Sequence, residues 1–231
     1  MADEQAKSQK EDYLIEENLP EKTEDWLSDI SIYAKKHSRF KFLPSASALI
    51  VIDMQRYFLS EDSHAYIPSS KAILSNVKNL IDAYRRYSLP VIFTRHSLKD
   101  NEEPGIMKQW WGDVIWDHSE LSEIIASLSP LASEVVIRKT RYSAFYGTQL
   151  EDILIQNKIK TVVITGVMTH LCCETTAREA FMKDFEVYFV IDATATQNEN
   201  LHLSSLRTLS NGFSIPVTTK KILSELEGMQ P

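Results

Sequence analysis

From residue 46 onwards the chain alternates short apolar runs with amphipathic stretches. The run ALIVIDM (48–54) is continuous and rich in β-branched residues, which is typical of a strand buried on both faces of a parallel sheet. The stretch 70–88 that follows has its apolar residues at helical spacing instead. Later strands are predicted at 90–96, 134–139, 161–166, 186–192 and 214–219, and later helices at 119–128, 147–157, 172–184, 199–211 and after 219.

This alternation predicts right-handed βαβ units. We therefore expect a three-layer α/β/α fold in one domain spanning 46–231. Its sheet is expected to be six-stranded, parallel and doubly wound, as in Rossmann-like folds. The length of 231 residues is enough for one such domain. In open sheets of this type, ligands bind beyond the carboxyl ends of the strands, near the point where the strand order reverses.

The first 45 residues have a different pattern and are interpreted as an extension. Residues 1–12 are mostly charged or polar, so we expect them to be disordered. The stretch TEDWLSDISIYAKK (23–36) has apolar positions at helical spacing and predicts a short amphipathic helix with Thr23 as its N-cap. We expect this helix to lie on the domain or on a partner subunit.

Composition excludes several classes of protein. The formal net charge of −7 is spread along the chain, without the basic stripe that a nucleic-acid-binding protein needs. No stretch of about 18 apolar residues predicts a membrane span, and the polar N-terminus lacks the apolar region of a secretory signal. A cytoplasmic location is therefore the expectation. The chain has six glycines but no Gly-x-Gly-x-x-Gly motif after a strand, so we expect no dinucleotide cofactor.

The chain has only two cysteines, Cys172 and Cys173, and they are adjacent. Neighbouring cysteines rarely form a disulfide because its geometry is strained, so both are expected to be reduced. Neither cysteine belongs to a Cys/His pattern with metal-ligand spacing, so we expect no bound metal. For Cys173 we expect the role of a small buried apolar residue.

Reactive or ionisable residues stand where the predicted strands end. Because these ends meet at one edge of a parallel sheet, the residues are expected to lie close together. They are Asp53, Arg95 with His96, Lys139, and Cys172 after Gly166.

Cys172 is predicted at the start of the helix 172–184. Unpaired N–H groups at a helix start, together with a nearby lysine, lower the pKa of a thiol. Asp53 is suited to take the thiol proton, and the same N–H groups are suited to hold an oxyanion. The alternative is structural: Asp53 caps a turn, Lys139 pairs with it, and Cys172 is merely packed.

Three segments together resemble the isochorismatase-like cysteine hydrolase superfamily, and they cover most of residues 46–223. They are LIVIDMQRYF (49–58), RKTRYSAFYGTQL (138–150) and ITGVMTHLCCETTAREAF (164–181). The resemblance implies a triad of Cys172 as nucleophile, Asp53 as general base and Lys139 as electrostatic helper. It also implies a cis peptide bond between Val167 and Met168 that aims the amides of Met168 and Cys172 as an oxyanion hole. Members of this family commonly form dimers or tetramers, so a homodimer or homotetramer is expected.

The family divides by chemistry. Its isochorismatase branch cleaves a vinyl ether by acid catalysis from the aspartate, and KQWWG (108–112) and the N-terminal extension resemble that branch. Its nicotinamidase branch has an Asp-x-His metal pair at the end of the second strand, which residues 94–97 lack. Because vinyl ether hydrolysis has no use for the thiol of Cys172, we expect cleavage of an amide, carbamate or urea-like C–N bond through an acyl-enzyme. The alternatives are vinyl ether hydrolysis with Asp53 as the acid, and a non-catalytic paralogue that binds a small molecule.

Residues around the predicted triad are candidates for binding a small-molecule substrate. Aromatic side chains are expected to wall the pocket, and arginines to hold a substrate carboxylate. The structural alternatives are a loop packed down by its aromatics and arginines paired within the protein. Because Asp53 fills the role of base, His170 is expected to orient its loop. His202, near the start of its predicted helix, is expected to make a structural hydrogen bond. The substrate-binding candidates are Phe58, Arg95, Trp111, Arg141 and Tyr142.

Overall fold

A computed structural model of the protein describes residues 10–33 and 40–229. The predicted parallel sheet is confirmed: six strands lie in the order β3-β2-β1-β4-β5-β6, and every neighbouring pair is parallel. The strands are β1 (Ser47–Ile52), β2 (Val91–His96), β3 (Val135–Lys139), β4 (Thr161–Val167), β5 (Glu186–Ala195) and β6 (Ile215–Val217).

The two central strands, β1 and β4, form the core of the sheet. Every residue of both strands is buried, as expected for strands covered on two faces. Chain order reverses between them, because β2 and β3 lie on one side and β5 and β6 on the other. Their pairing ends at Ile52 and Gly166, so this reversal point is where a ligand crevice is expected.

Helices cover both sides of the sheet. On one side the helix Leu74–Arg86 packs against the helix Thr219–Glu227. On the other side the helix Glu199–Gly212 contacts both Leu19–Ile30 and Glu174–Met182. Among the described residues, no helix combines the length and apolar character needed to cross a membrane. The helices are α1 (Leu19–Ile30), α2 (Arg56–Leu59), α3 (Leu74–Arg86), α4 (Ile106–Trp111), α5 (Leu150–Gln156), α6 (Glu174–Met182), α7 (Glu199–Gly212) and α8 (Thr219–Glu227).

The segment between β2 and β3 differs from the prediction. The helix predicted at 119–128 is wrong: two short 3-10 turns, Glu120–Ser122 and Ala126–Leu128, are present instead. Backbone groups between these turns bond to the chain after β1, since Ile125 N–H donates to the Met54 carbonyl and the Glu123 carbonyl accepts from Arg56. These tertiary bonds replace helical ones.

The N-terminal extension is partly ordered on the domain. Helix α1 begins at Leu19 and not at Thr23, because Pro20 in its first turn favours an earlier start. Thr23 is therefore inside the helix, where its hydroxyl donates to the Leu19 carbonyl at 2.6 Å. The predicted end at residue 36 lies outside the described residues.

Residues 10–14 also contact the domain. Of the predicted disordered stretch, residues 1–9 lie outside the described part of the chain. Lys10 and Glu11 are hydrogen-bonded to the domain, since Lys10 Nζ donates to the His64 carbonyl and Glu11 N–H to the Gln197 carbonyl. Tyr13 and Leu14, which follow, are buried.

Candidate active site

Asp53 stands directly after β1, at the edge of the sheet where the strands end. Its φ of +48° is in the left-handed region, which aspartate tolerates better than most residues. The carboxylate is fully buried and accepts a hydrogen bond from the Thr94 hydroxyl on β2 at 2.6 Å. The Asp53 amide in turn donates to the same Thr94 oxygen at 3.1 Å. The neighbouring strand therefore fixes this carboxylate in place.

Lys139 ends β3 and is also buried. Its Nζ lies 2.7 Å from Asp53 Oδ2, and neither side chain is exposed. The ammonium also donates to the Arg141 carbonyl at 3.1 Å and to Cys172 Sγ at 3.3 Å. Burial lowers the pKa of Lys139, but Asp53 and Cys172 outweigh it, so the pKa lies above its ordinary value and the side chain is charged.

Cys172 lies in the turn between β4 and α6. The prediction that it opens an α-helix is wrong: Thr169–Cys173 is one π-helical turn, and α6 begins at Glu174. The predicted lowering of its pKa is also wrong. The thiol is 5% exposed, and burial raises its pKa to about 12 although Lys139 opposes the shift. The resting thiol is therefore protonated, beside an Asp53–Lys139 pair whose charges balance.

Gly166 allows the close approach of β4 to the end of β1. Its φ is +110°, and a Cβ atom there would lie 2.1 Å from the Ile52 carbonyl oxygen. Residues after Gly166 thus pass directly beside Asp53. A cis peptide bond joins Val167 and Met168, at the position that the family resemblance implies.

Two aromatic residues form one wall of the site. Trp111 Nε1 donates to the Tyr142 hydroxyl at 2.7 Å, and the Trp111 side chain is 43% exposed. Burial raises the pKa of Tyr142, and the nearby Cys172 raises it further. Trp111 ends α4, a short helix between β2 and β3. This wall is therefore close to the thiol but open to solvent.

The other substrate-binding candidates have different positions. Arg141 packs against Gly105, where a side chain would collide with its guanidinium, and donates to the Thr140 carbonyl at 2.7 Å. Phe58, in α2, is 7% exposed and belongs to the hydrophobic core.

Arg95 is not placed with the triad. Side chains alternate along a strand, so Arg95 points to the opposite face of β2 from Thr94. There it forms an ion pair with Asp117 at 2.5 Å and donates to the Ser122 hydroxyl at 3.0 Å. This pairing within the protein replaces the expected contact with a substrate carboxylate.

His96 is a residue of this site to which the sequence analysis gave no role. It ends β2, and its ring interacts electrostatically with both Lys139 and Asp53. Burial, aided by Lys139, lowers its pKa to about 4, so the ring is neutral at pH 7. Its Nδ1 is buried without a hydrogen-bond partner. Its position at the end of β2 is the signal that placed it among the strand-end residues, but position alone gave no role.

Metal-binding clusters are absent from the described residues. Within 10–33 and 40–229, no group of three or more His, Cys, Asp or Glu side chains is arranged to hold a metal ion. The charged pair Asp53–Lys139 at the strand ends has no exposed side-chain surface. The site as a whole is thus a protonated thiol, a carboxylate and an ammonium, assembled from three separate segments.

Comparison with known proteins identifies the family of the chain. A sequence profile of the Isochorismatase domain matches residues 47–221. Nicotinamidase 3 of Arabidopsis thaliana is 45% identical over 185 residues, which cover 79% of this chain and 89% of that protein. Enterobactin synthase component B of Escherichia coli K12 is 32% identical over 183 residues, covering 79% of this chain and 64% of that protein.

Comparison with solved structures also gives a hydrolase. A cysteine hydrolase from Pseudomonas syringae superposes with a TM-score of 0.79 at 26% identity, covering 82% of this chain and 96% of that one. Fold and relatives together define a hydrolase built on a doubly wound parallel sheet. The chain belongs to the isochorismatase family.

Proposed function

We propose that the protein cleaves a C–N bond of a small-molecule amide, carbamate or urea-like compound, with Cys172 as the nucleophile. Two buried contacts carry this proposal. Cys172 Sγ lies 3.3 Å from Lys139 Nζ, and Lys139 Nζ lies 2.7 Å from Asp53 Oδ2. An inert buried cysteine needs no ammonium partner, and burying an ion pair beside it is costly. A reaction that uses all three groups accounts for their placement.

In the first step Cys172 Sγ attacks the carbonyl carbon of the substrate while Asp53 takes the thiol proton. Burial raises the pKa of the thiol, so the resting thiol is protonated and needs a base to become a nucleophile. The resting site has no net charge. During attack the negative charge passes from Asp53 to the substrate oxygen, so no additional net charge is created in the buried site.

The oxyanion is held by Lys139 and by the backbone amides of Met168 and Cys172. Cys172 lies in the π turn Thr169–Cys173, and Met168 directly precedes that turn, so both amides belong to the backbone that carries the nucleophile. Donors that are fixed before reaction stabilise the developing charge without reorganisation.

In the second half of the reaction the C–N bond breaks and the acyl group is released. Asp53 returns its proton to the leaving nitrogen, which departs as an amine or ammonia and leaves a thioester on Cys172. Water then attacks the thioester while Asp53 takes a proton from it. Sγ leaves, takes that proton back, and the carboxylic acid product forms.

Substrate contacts are assigned to the residues around the thiol. Trp111 and Tyr142 form the aromatic wall, and Phe58 and Arg141 complete the proposed contacts. Nicotinamide is the first substrate to test, because a relative that is 45% identical is named Nicotinamidase 3. The chain lacks an Asp-x-His pair at residues 94–97, so this proposal uses no metal.

Vinyl ether hydrolysis with Asp53 as the acid is the second candidate. The match to the Isochorismatase domain profile favours it. In that reaction the Cys172 thiol has no chemical step. A non-catalytic, small-molecule-binding paralogue is the third candidate, and the assembly into a homodimer or homotetramer also stays a prediction.

The experiment compares wild type with Cys172→Ala on nicotinamide and on isochorismate. We expect the wild type to release ammonia from nicotinamide and Cys172→Ala to lose at least about 10³-fold in kcat. Cys173→Ala is the matched control, since that neighbouring thiol is fully buried and its change is expected to leave kcat within about three-fold. Isochorismate cleavage that Cys172→Ala leaves intact would support the vinyl ether alternative, and no turnover of any amide or of isochorismate would support the binding paralogue.

A further inference from the structure

The described N-terminal residues 10–30, here called the N-terminal segment, lie outside the family domain matched at 47–221. The segment is nevertheless tightly packed on that domain, with Leu14, Trp26 and Ile30 each only 1% exposed. Trp26 Nε1 and Lys22 Nζ both bond to the Glu199 carboxylate in the first turn of α7, at 2.9 and 2.8 Å. The segment is therefore held on α7, the helix that packs beside the nucleophile turn.

One connection runs from Trp26 to the nucleophile turn through His202. The rings of Trp26 and His202 lie 4.3 Å apart, and His202 is fully buried in α7. His202 Nδ1 lies 3.0 Å from the Thr169 hydroxyl, the first residue of the turn Thr169–Cys173. Burial lowers the pKa of His202 to about 3, so the ring is a neutral hydrogen-bonding group.

A second connection runs from Tyr13 through Thr196. The Tyr13 hydroxyl accepts a hydrogen bond from the Thr196 amide at 3.3 Å. The Thr196 hydroxyl lies 2.6 Å from His170 Nδ1, and His170 is the second residue of the same turn. The loop after β5 thus joins the N-terminal segment to the turn independently of α7.

We propose that the N-terminal segment is a positioning element of the active site, which sets the place of Cys172 by holding Thr169 and His170 through His202 and Thr196. Both connections end within three residues of Cys172, on the turn that carries it. This inference rests on the proposed function only in taking Cys172 as the nucleophile. Tyr13 and Trp26 are positioning residues, since they act through other groups and do not touch the thiol.

The same segment offers a matched control that lacks this connection. Asp29 pairs with Arg207 on α7 at 2.5 Å, and Arg207 is 49% exposed. This ion pair ties the segment to the same helix but leads to no residue of the turn. Asp29→Asn therefore removes one exposed contact between the segment and α7 and leaves the contacts of Trp26 and Tyr13, which lead to the two histidines, in place.

The test compares Trp26→Leu with Asp29→Asn in the full chain. Turnover of nicotinamide gives kcat and KM, and peptide mass spectrometry gives the rate at which iodoacetamide alkylates Cys172, with Cys173 as a monitor of unfolding. For Trp26→Leu we expect kcat to fall about ten-fold, with KM within about two-fold, because a shift of the nucleophile affects the reaction more than binding. Alkylation of Cys172 is expected to accelerate, because a released turn admits solvent to a thiol that is 5% exposed.

Asp29→Asn is expected to match wild type in both readouts, and Trp26→Phe to restore most of kcat because it keeps a ring against His202. Equal kcat and equal alkylation in Trp26→Leu and Asp29→Asn would overturn the inference. If Trp26→Leu does not fold, Tyr13→Phe decides, since it removes one oxygen and is expected to change both readouts about three-fold. If the wild type does not act on nicotinamide, the proposed substrate fails, while the alkylation rates still decide the role of the segment.

Discussion

The strand-end pair Asp53–Lys139 and the aromatic pair Trp111–Tyr142 belong to the same proposed site but are built very differently. Asp53 and Lys139 have no exposed side-chain surface, and bonds from β2 and from the chain after β3 fix them. Trp111 in the wall is 43% exposed, and its neighbour Trp110 is 74% exposed. The chemical groups therefore belong to the core of the sheet, whereas the groups expected to select the substrate lie on a solvent-facing segment.

The largest expected effect comes from removing one charge of the buried pair. Lys139→Met leaves Asp53 buried without its ammonium partner, so we expect a loss of about 3–5 kcal/mol in the free energy of unfolding, together with loss of activity. Urea unfolding followed by circular dichroism measures the change. The double variant Asp53→Asn with Lys139→Met is the control and is expected to recover part of the stability. An unchanged midpoint in Lys139→Met would show that the pair is not buried as described.

A smaller effect is expected from the bond that orients Asp53. Thr94→Val removes the hydroxyl 2.6 Å from Asp53 Oδ1 and keeps the side-chain shape. We expect about 1–3 kcal/mol of destabilisation, since a buried carboxylate oxygen loses its donor. Thr94→Ser keeps the hydroxyl and is expected to retain most stability and activity. Equal stability of the Val and Ser variants would contradict the orienting role.

The buried region also predicts a dependence of stability on pH. The folded-state pKa of His202 is lowered to about 3 and that of His96 to about 4, both by burial. Unfolding frees each ring to take a proton below its ordinary pKa of about 6.5. Stability is thus fully present above about pH 6.5 and falls with pH towards the folded-state values. Each histidine contributes a slope of up to about 1.4 kcal/mol per pH unit.

Urea unfolding of wild type and His202→Gln at several values between pH 7 and pH 4.5 tests this dependence. The variant is expected to be less stable at pH 7 and to lose less stability as the pH falls. Parallel curves for the two proteins would show that His202 does not titrate on unfolding.

The smallest effect on stability is expected in the wall. Trp111→Ala removes a partly exposed ring and its bond to the Tyr142 hydroxyl, so the free energy of unfolding should change by no more than about 0.5 kcal/mol. We expect KM for the amide substrate to rise several-fold with a smaller change in kcat. Trp111→Phe keeps an aromatic ring but loses the hydrogen bond to Tyr142, so it separates the two contributions to KM. A large loss of stability in Trp111→Ala would show that the wall is part of the core.

The two regions also differ in how accurately the sequence predicts their secondary structure. The strands that bear Asp53 and Lys139 were predicted to within a few residues, because a continuous apolar run and the strand-end rule are local signals. The helix predicted at 119–128 was wrong, since bonds to the chain after β1 decide that segment. Tertiary partners of this kind leave no periodic pattern in the sequence.

The electrostatics of the site were equally hard to predict. A helix start at Cys172 implied a lowered thiol pKa, whereas the π turn delays α6 to Glu174 and burial raises the pKa. The ion pair of Arg95 with Asp117, 22 positions along the chain, depends on which face of β2 meets the loop. Burial and pairing are properties of the assembled fold, so residue type and spacing alone do not determine them.

The most direct test of the account is whether Cys172 carries the acyl group during turnover. The reaction is quenched in acid during steady-state hydrolysis of nicotinamide or another amide that the protein accepts, and the peptide containing Cys172 and Cys173 is sequenced by mass spectrometry. The account predicts a thioester on Cys172, none on Cys173, and none in Cys172→Ala. Sustained amide turnover without any adduct, and with full activity in Cys172→Ala, would contradict it.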